Sequence, residues 1–179
     1  AGIENWNIAF EEAGFINAVV AKIQPEDAEW DAADYDYNVV RWSSEPDGNL
    51  LGIGPSVSNP LTGEIISADV VNKLLAIKLG YNYRKLYGYT EDNDPLMQYI
   101  TNLTLHEVGH VLGLRHNFRG SYLYSPDEIH DKNITGNVLM SSVMDYDPIN
   151  IAPEGVEQGI YFSTEPGVYD KWAVKFGYT

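Results

Sequence analysis

Residues 106–116 read His106-Glu107-Val108-Gly109-His110-Val111-Leu112-Gly113-Leu114-Arg115-His116. His106 and His110 stand four apart, so on a helix both imidazoles leave one face, a turn from each other. Glu107 lies beside them and can reach a water between the rings without itself becoming a ligand. Gly113 admits a left-handed backbone and ends the helix. The chain then turns back and carries His116 up as a third ligand. This pattern predicts a three-histidine zinc site with an open fourth position, the mark of a catalytic rather than a structural ion. The chain has four histidines, and three fall in this window, which separates it from a chance pair on a surface helix. The fourth, His130, lies in the polar run 125–132 and is expected to be a solvated loop residue.

Downstream, Ser141-Ser142-Val143-Met144-Asp145-Tyr146 supplies a methionine in a candidate tight turn. Together the two segments resemble the metzincin metalloprotease signature, H-E-x-x-H-x-x-G-x-x-H followed by a Met-turn. The resemblance implies that Met144 lies beneath the metal as a hydrophobic base. Ser142-Val143-Met144-x-Tyr146 is similar to the form found in astacins and serralysins. There the tyrosine ligates zinc at rest and swings to steady the tetrahedral intermediate, which makes Tyr146 a candidate oxyanion donor. The alternative is a tyrosine packed near the turn and bonded to backbone.

Residues 6–15, 62–69 and 116–120 look similar to large bacterial zinc-dependent metalloproteases, in which this module sits in a longer chain. Met144-Asp145-Tyr146 also resembles pappalysins. These resemblances imply an α+β fold of two lobes, spanning 1–179 as a single catalytic domain. The upper lobe, about 1–113, would hold a twisted, mostly parallel sheet with an antiparallel edge strand, and the active-site helix. The lower lobe, about 114–179, would be irregular with a C-terminal helix braced by an aspartate near its start. Asp170 is the candidate brace; the alternative is a surface acid favoured by the helix dipole. A secreted or otherwise extracytoplasmic location and a longer precursor are also implied.

Composition narrows the function classes. The 179 residues suffice for one domain with a sizeable core, and no apolar run approaches a membrane span. A net charge of −15 argues against nucleic acid as a partner. The chain has no cysteine, which removes disulfides and thiol chemistry. Acidic residues gather at 26–36, at 90–94 and at Asp145 and Asp147. Calcium is therefore a second candidate cofactor beside zinc, although none of these runs has the regular spacing of a calcium loop.

Hydrophobic periodicity places the elements around the site. Ile3, Trp6, Phe10 and Ala13 recur at helical steps, and Gly14 ends that helix. Residues 15–23 are rich in β-branched types and read as a strand, as do 38–42. A turn follows at 46–48. Residues 52–58 read as an edge or bulged strand because of their glycines and proline. After a turn at 59–63 come a strand at 64–70 and a helix within 71–86 that Leu74, Leu75, Lys78 and Leu79 support. Asp94 and Pro95 open the active-site helix, 95–112, as N-cap and first residue. Residues 117–141 read as loop, and 163–177 as a capped terminal helix ended by glycine. Asn102 and Asn133 head glycosylation sequons that carry no weight without a known secretory origin.

The function that follows is a zinc endopeptidase with Glu107 as general base and a peptide or protein as its partner. Gly54, Pro55, Ser56, Val57 and Ser58 are the candidate edge for pairing with an extended substrate; the alternative is a protected edge without a partner. The pocket wall beside the scissile bond is expected from residues 140–152. Two other functions fit the motif. One is a non-catalytic zinc-binding recognition module, and the other is a zinc hydrolase of non-protein amides.

Overall fold

Residues 1–45 and 50–179 are described by the computed structural model. The turn expected at 46–48 lies outside the described residues. A 3₁₀ turn at Glu4–Trp6 runs into helix α1, Asn7–Glu12. Strands follow at Val39–Ser43 (β1), Gly52–Ile53 (β2), Ser56–Ser58 (β3) and Ile65–Lys73 (β4). Helix α2 spans Leu74–Tyr87 and α3 Pro95–Val111. A short helix α4, Lys132–Thr135, interrupts the loops before the terminal helix α5, Val168–Tyr178. The class is α+β, with an open mixed sheet as expected for a metzincin-type fold.

β4 is the centre of the sheet. β1 pairs with it in parallel, Val39 opposite Asp69, while β2 and β3 pair with it antiparallel. The glycine and proline at 54–55 split the expected edge strand into these two pieces, and β3 has a register irregularity between Val57 and Ser58. The parallel part is a single pair rather than the larger share, because residues 15–23 stay out of the sheet. Val19 commits its backbone N–H and C=O to the Asn7 side chain, at 3.0 and 2.7 Å. Asn17 takes a positive φ of 52°, which breaks a pleat. Ile16, Val20 and Ile23 are left exposed. β-branched composition describes a residue that suits a pleated surface, and here no neighbour supplies that surface.

The expected helix within 71–86 starts later, at Leu74, because β4 runs on to Lys73. Leu74 and Leu75 are exposed, and α2 instead buries Ala76 and Gly80. An added Cβ at Gly80 would lie 2.7 Å from Leu96 Cδ1, so the missing side chain lets α2 lie close on α3. Arg84 joins the two helices by a bidentate pair to Asp94. Asp94 also caps α3 by accepting the Leu96 N–H at 3.0 Å.

The main core joins the two ends of the chain to its middle. Trp6, Ala9 and Phe10 of the N-terminal segment meet Val70 of β4, Leu105 and Val108 of α3, Val143, Met144, and Val174 of α5. Trp6 donates its indole N–H to Leu105 O at 3.0 Å, so the largest core side chain leaves no polar atom unmet. A second cluster packs Ala76 and Tyr99 against Tyr161 and Phe162. α3 thus runs through the interior with one stripe on each cluster, and that fixes the orientation of its histidines. No helix among the described residues is long and apolar enough to cross a membrane.

Candidate metal centre

α3 ends in a Schellman arrangement: Gly113 N–H donates to His110 O and Leu114 N–H to Gly109 O, both at 3.0 Å. Gly113 has φ +89°, which a side chain rarely adopts. This turn reverses the chain at the last helical coil and returns His116 towards the helix. The Nε2 atom of His116 lies 3.2 Å from that of His106 and 3.1 Å from that of His110. Among the described residues these three form the one group of metal-ligating side chains close enough to share an ion.

The donors fit zinc. Nitrogens at about 2.0–2.1 Å around a tetrahedral ion stand roughly 3.3 Å apart, close to the spacing found. The tautomers fit as well. His106 Nδ1 lies 2.7 Å from Val143 O and His110 Nδ1 3.0 Å from Leu114 O. A carbonyl only accepts, so each Nδ1 carries the proton and each Nε2 presents its lone pair to the cluster. Burial, with smaller contributions from the neighbouring histidines, pulls His106 down to about 4, so its ring is neutral at physiological pH. Burial also lowers His116.

Glu107 is buried, and burial raises its carboxyl to about 7. It lines the same open cavity, about 910 Å³, as His106, His110 and His116. Two glycines of the edge strand make room for it. A Cβ on Gly52 would lie 2.6 Å from Glu107 Oε1, and one on Gly54 would lie 2.2 Å from Glu107 O. The backbone of 52–54 therefore rests directly on α3. Gly54, Pro55, Ser56 and Ser58 line the cavity. Ser56, Val57 and Ser58 are exposed in β3, and the side of β3 away from β4 carries no strand among the described residues.

The Met-turn forms the floor. Met144 is buried, and a Cβ on Gly109 would meet its Sδ at 2.4 Å and Trp6 Cζ2 at 2.9 Å. Gly109 lets the methionine press against α3 between His106 and His110. Asp170, fully buried, holds this turn from α5. It accepts from Ser142 Oγ at 2.6 Å, from Val143 N–H at 2.8 Å and from Gly167 N–H at 2.8 Å. It is an interior brace and not a surface acid. Burial outweighs the three donors and leaves its carboxyl above the usual range. A continuous route thus runs from Asp170 through Val143 to His106 Nδ1.

Tyr146 is exposed, its ring centroid 4.7 Å from that of His116 and 5.7 Å from that of His106. Of the neighbouring acids, Asp145 accepts the N–H of Tyr146 and of Ser121, one on each oxygen. Asp147 Oδ2 accepts from Asn102 Nδ2 at 3.1 Å and from Ser163 N–H at 3.3 Å. Neither these acids nor the runs at 26–36 and 90–94 assemble a cation cage among the described residues, and calcium gains no support. Asn102 is buried in these contacts, as its place within α3 implies. His130 departs from its expected solvation. It is half-buried, its Nδ1 shut off without a partner among the described residues, and the segment around Gly159 packs on its backbone. It lies outside the histidine cluster.

The sequence reading missed Gly109, Asn102 and the pairing of Gly52 and Gly54 with Glu107. A glycine between two ligand positions was the available signal for the first; the others depend on tertiary contact. Comparison with known proteins found no match among curated proteins and none among solved structures. A family model described as Met-zincin matches residues 89–179, which take in α3, the histidine cluster, the Met-turn and α5. With more than half of its length in that match, and three histidines gathered over a methionine floor, the chain belongs to the Met-zincin family.

Proposed function

We propose that the chain is the catalytic domain of a zinc endopeptidase, spanning 1–179 with lobes about 1–113 and 114–179. The observation that carries this reading is the convergence of three Nε2 atoms beside a buried carboxylate in one open cavity. His106, His110 and His116 would hold zinc, which when bound supplies Lewis-acid activation of water and of the scissile carbonyl. Glu107, with its carboxyl near 7, takes the proton of the attacking water and returns it to the departing amine. Tyr146, exposed beside the histidines, donates its hydroxyl to the developing oxyanion. The open edge of Ser56–Ser58 pairs with an extended peptide, aligning its scissile bond along the cavity. Extracytoplasmic work and a longer parent chain accord with this activity.

The test is Glu107→Ala. The variant keeps zinc by elemental analysis and loses hydrolysis of a quenched fluorescent peptide by roughly 10²–10⁴-fold, the usual worth of a general base. A variant that cleaves at the parental rate removes Glu107 from the mechanism. Zinc-loaded parent protein inert toward a broad set of unfolded substrates overturns the proteolytic reading itself.

A further inference from the structure

We propose that Phe118 is a positioning residue: its ring holds Tyr146 against the histidine cluster, so that the Tyr146 hydroxyl is in place before an oxyanion forms. The inference rests on the proteolytic reading and adds to it the group that orients one of its donors. Phe118 is 64 % exposed and is not among the residues that line the cavity, so core packing does not account for it. Its ring meets two others, His116 at 5.6 Å and Tyr146 at 5.9 Å between centroids, both tilted. Tyr146 in turn meets His116 at 4.7 Å and His106 at 5.7 Å. All four separations fall in the favourable range for aromatic pairs, about 4.5–7 Å.

Polar bonds hold the backbone of Tyr146 and leave its side chain to these rings. Asp145 accepts the Tyr146 N–H on one oxygen and the Ser121 N–H on the other. Asp147 accepts from Asn102 and Ser163 on Oδ2, and its Oδ1, shut off from solvent, has no donor among the described residues. Neither carboxylate takes the Tyr146 hydroxyl. Phe118, in contrast, stands on a fixed base. Asn117 N–H donates to Met144 O at 2.9 Å, and Ser141 N–H donates to Gly120 O at 2.8 Å. A Cβ on Gly120 would lie 2.9 Å from Ser142 O, so this backbone rests directly on the Met-turn. The strand of chain that returns His116 to the cluster therefore carries Phe118 onto the turn that bears Tyr146. An exposed tyrosine has several staggered side-chain positions open to it. Of its ring neighbours, Phe118 is the one with no part in holding a metal, and its loss frees Tyr146 towards solvent.

The experiment is a double-mutant cycle with a second readout that needs no turnover. On a quenched fluorescent peptide, zinc-loaded Tyr146→Phe loses kcat by about 10²-fold, as removal of one oxyanion donor does. Phe118→Ala loses kcat by about two- to tenfold, the change in population that one aromatic pair supports, at a nearly unchanged KM. Placed on Tyr146→Phe, the same Phe118→Ala change costs nothing further. Phe118→Tyr, which keeps the ring, recovers most of the loss, and Phe118→Leu does not. Parental kcat in either single variant, an equal loss from Phe118→Ala in both backgrounds, or an effect confined to KM overturns the proposal. In the second arm, cobalt is loaded into Glu107→Ala protein that carries meta-fluorotyrosine. Fluorine NMR then reads the paramagnetic broadening of Tyr146, whose resonance is the one missing from Tyr146→Phe. Phe118→Ala weakens that broadening as the ring moves away from the ion; broadening unchanged by Phe118→Ala overturns the proposal. Broadening that depends on Phe118, in a protein whose zinc-loaded parent cleaves no peptide, leaves the placement of Tyr146 standing and removes the proteolytic reading. Cleavage by the parent with broadening indifferent to Phe118 does the reverse.

Discussion

At Gly109 the usual rule for glycine in a helix changes sign. Replacing an exposed helical glycine by alanine stabilises by up to about 1 kcal/mol. Gly109 is buried, and its absent side chain is where the Met144 sulfur sits, 2.4 Å from an ideal Cβ, with Trp6 close behind. Gly109→Ala is expected to destabilise by about 1–3 kcal/mol, the range for overpacking a filled core, and to weaken zinc binding by moving the floor between two histidines. Urea melts and a competitive zinc titration check both parts; a variant as stable as the parent would show that Met144 shifts freely. Asp147 gives a pH-dependent counterpart. Its carboxyl is raised from 3.8 to about 6, chiefly by burial. Stability from this group is therefore fully present below about 3.8 and lost as pH rises through about 6. Asp147→Asn should raise Tm at pH 8 by more than at pH 5, and an equal change at both would contradict the assignment. Such residues explain what a sequence reading reaches at this scale. The convergence of His106, His110 and His116 is legible because helical period and a glycine stop dictate it locally. Gly109, Asn102 and the orphaned oxygen of Asp147 acquire their roles from segments dozens of residues away, and nothing local reports them.

Between elements, the site is held from below by α5. Asp170 ties the terminal helix to Ser142 and Val143, and Val143 O in turn accepts from His106 Nδ1. A helix N-terminus with an acid in its first turn was legible as a capped start. Its burial under the Met-turn was not, because dipole and capping arguments apply equally to an exposed acid. Asp170→Ala leaves three buried donors unmet, and each unmet group costs about 1–3 kcal/mol. The expected outcome is a loss of several kcal/mol in urea melts together with weaker zinc binding. A protein that loses stability but binds zinc as before would show that His106 is oriented without the Met-turn. The opposite lesson comes from residues 15–23. Their strand-like composition is real, yet Asn7 captures the Val19 backbone and no strand among the described residues pairs with the rest. Pairing partners, which a single sequence does not display, decide whether such a run becomes a strand.

For the molecule as a whole, the question is whether the metal completes the fold or only the chemistry. The main core already joins the N-terminal segment, β4, α3, the Met-turn and α5. Termini are tied as well: α1 lies on α5, with a Lys171–Glu12 ion pair and an Asn5 side chain donating to Thr164 O. None of these contacts passes through the histidines. Zinc would add a link from α3 to the segment that carries His116, whose neighbour Asn117 donates to Met144 O at 2.9 Å. The ion should therefore stabilise a chain that folds without it, unlike small zinc-dependent domains that unfold when stripped. At free zinc about 100 times Kd the linkage is worth about 2.7 kcal/mol. For a domain of this size each kcal/mol moves Tm by about 2–4 °C, so chelation should lower Tm by roughly 5–11 °C. Circular dichroism of the stripped protein should still show native helix, and added zinc should restore Tm. Glu107→Ala should retain the zinc-dependent rise and His110→Ala should lose it. Complete unfolding on chelation would instead make the ion structural, and a Tm indifferent to zinc in the parent protein would leave the three histidines without their metal.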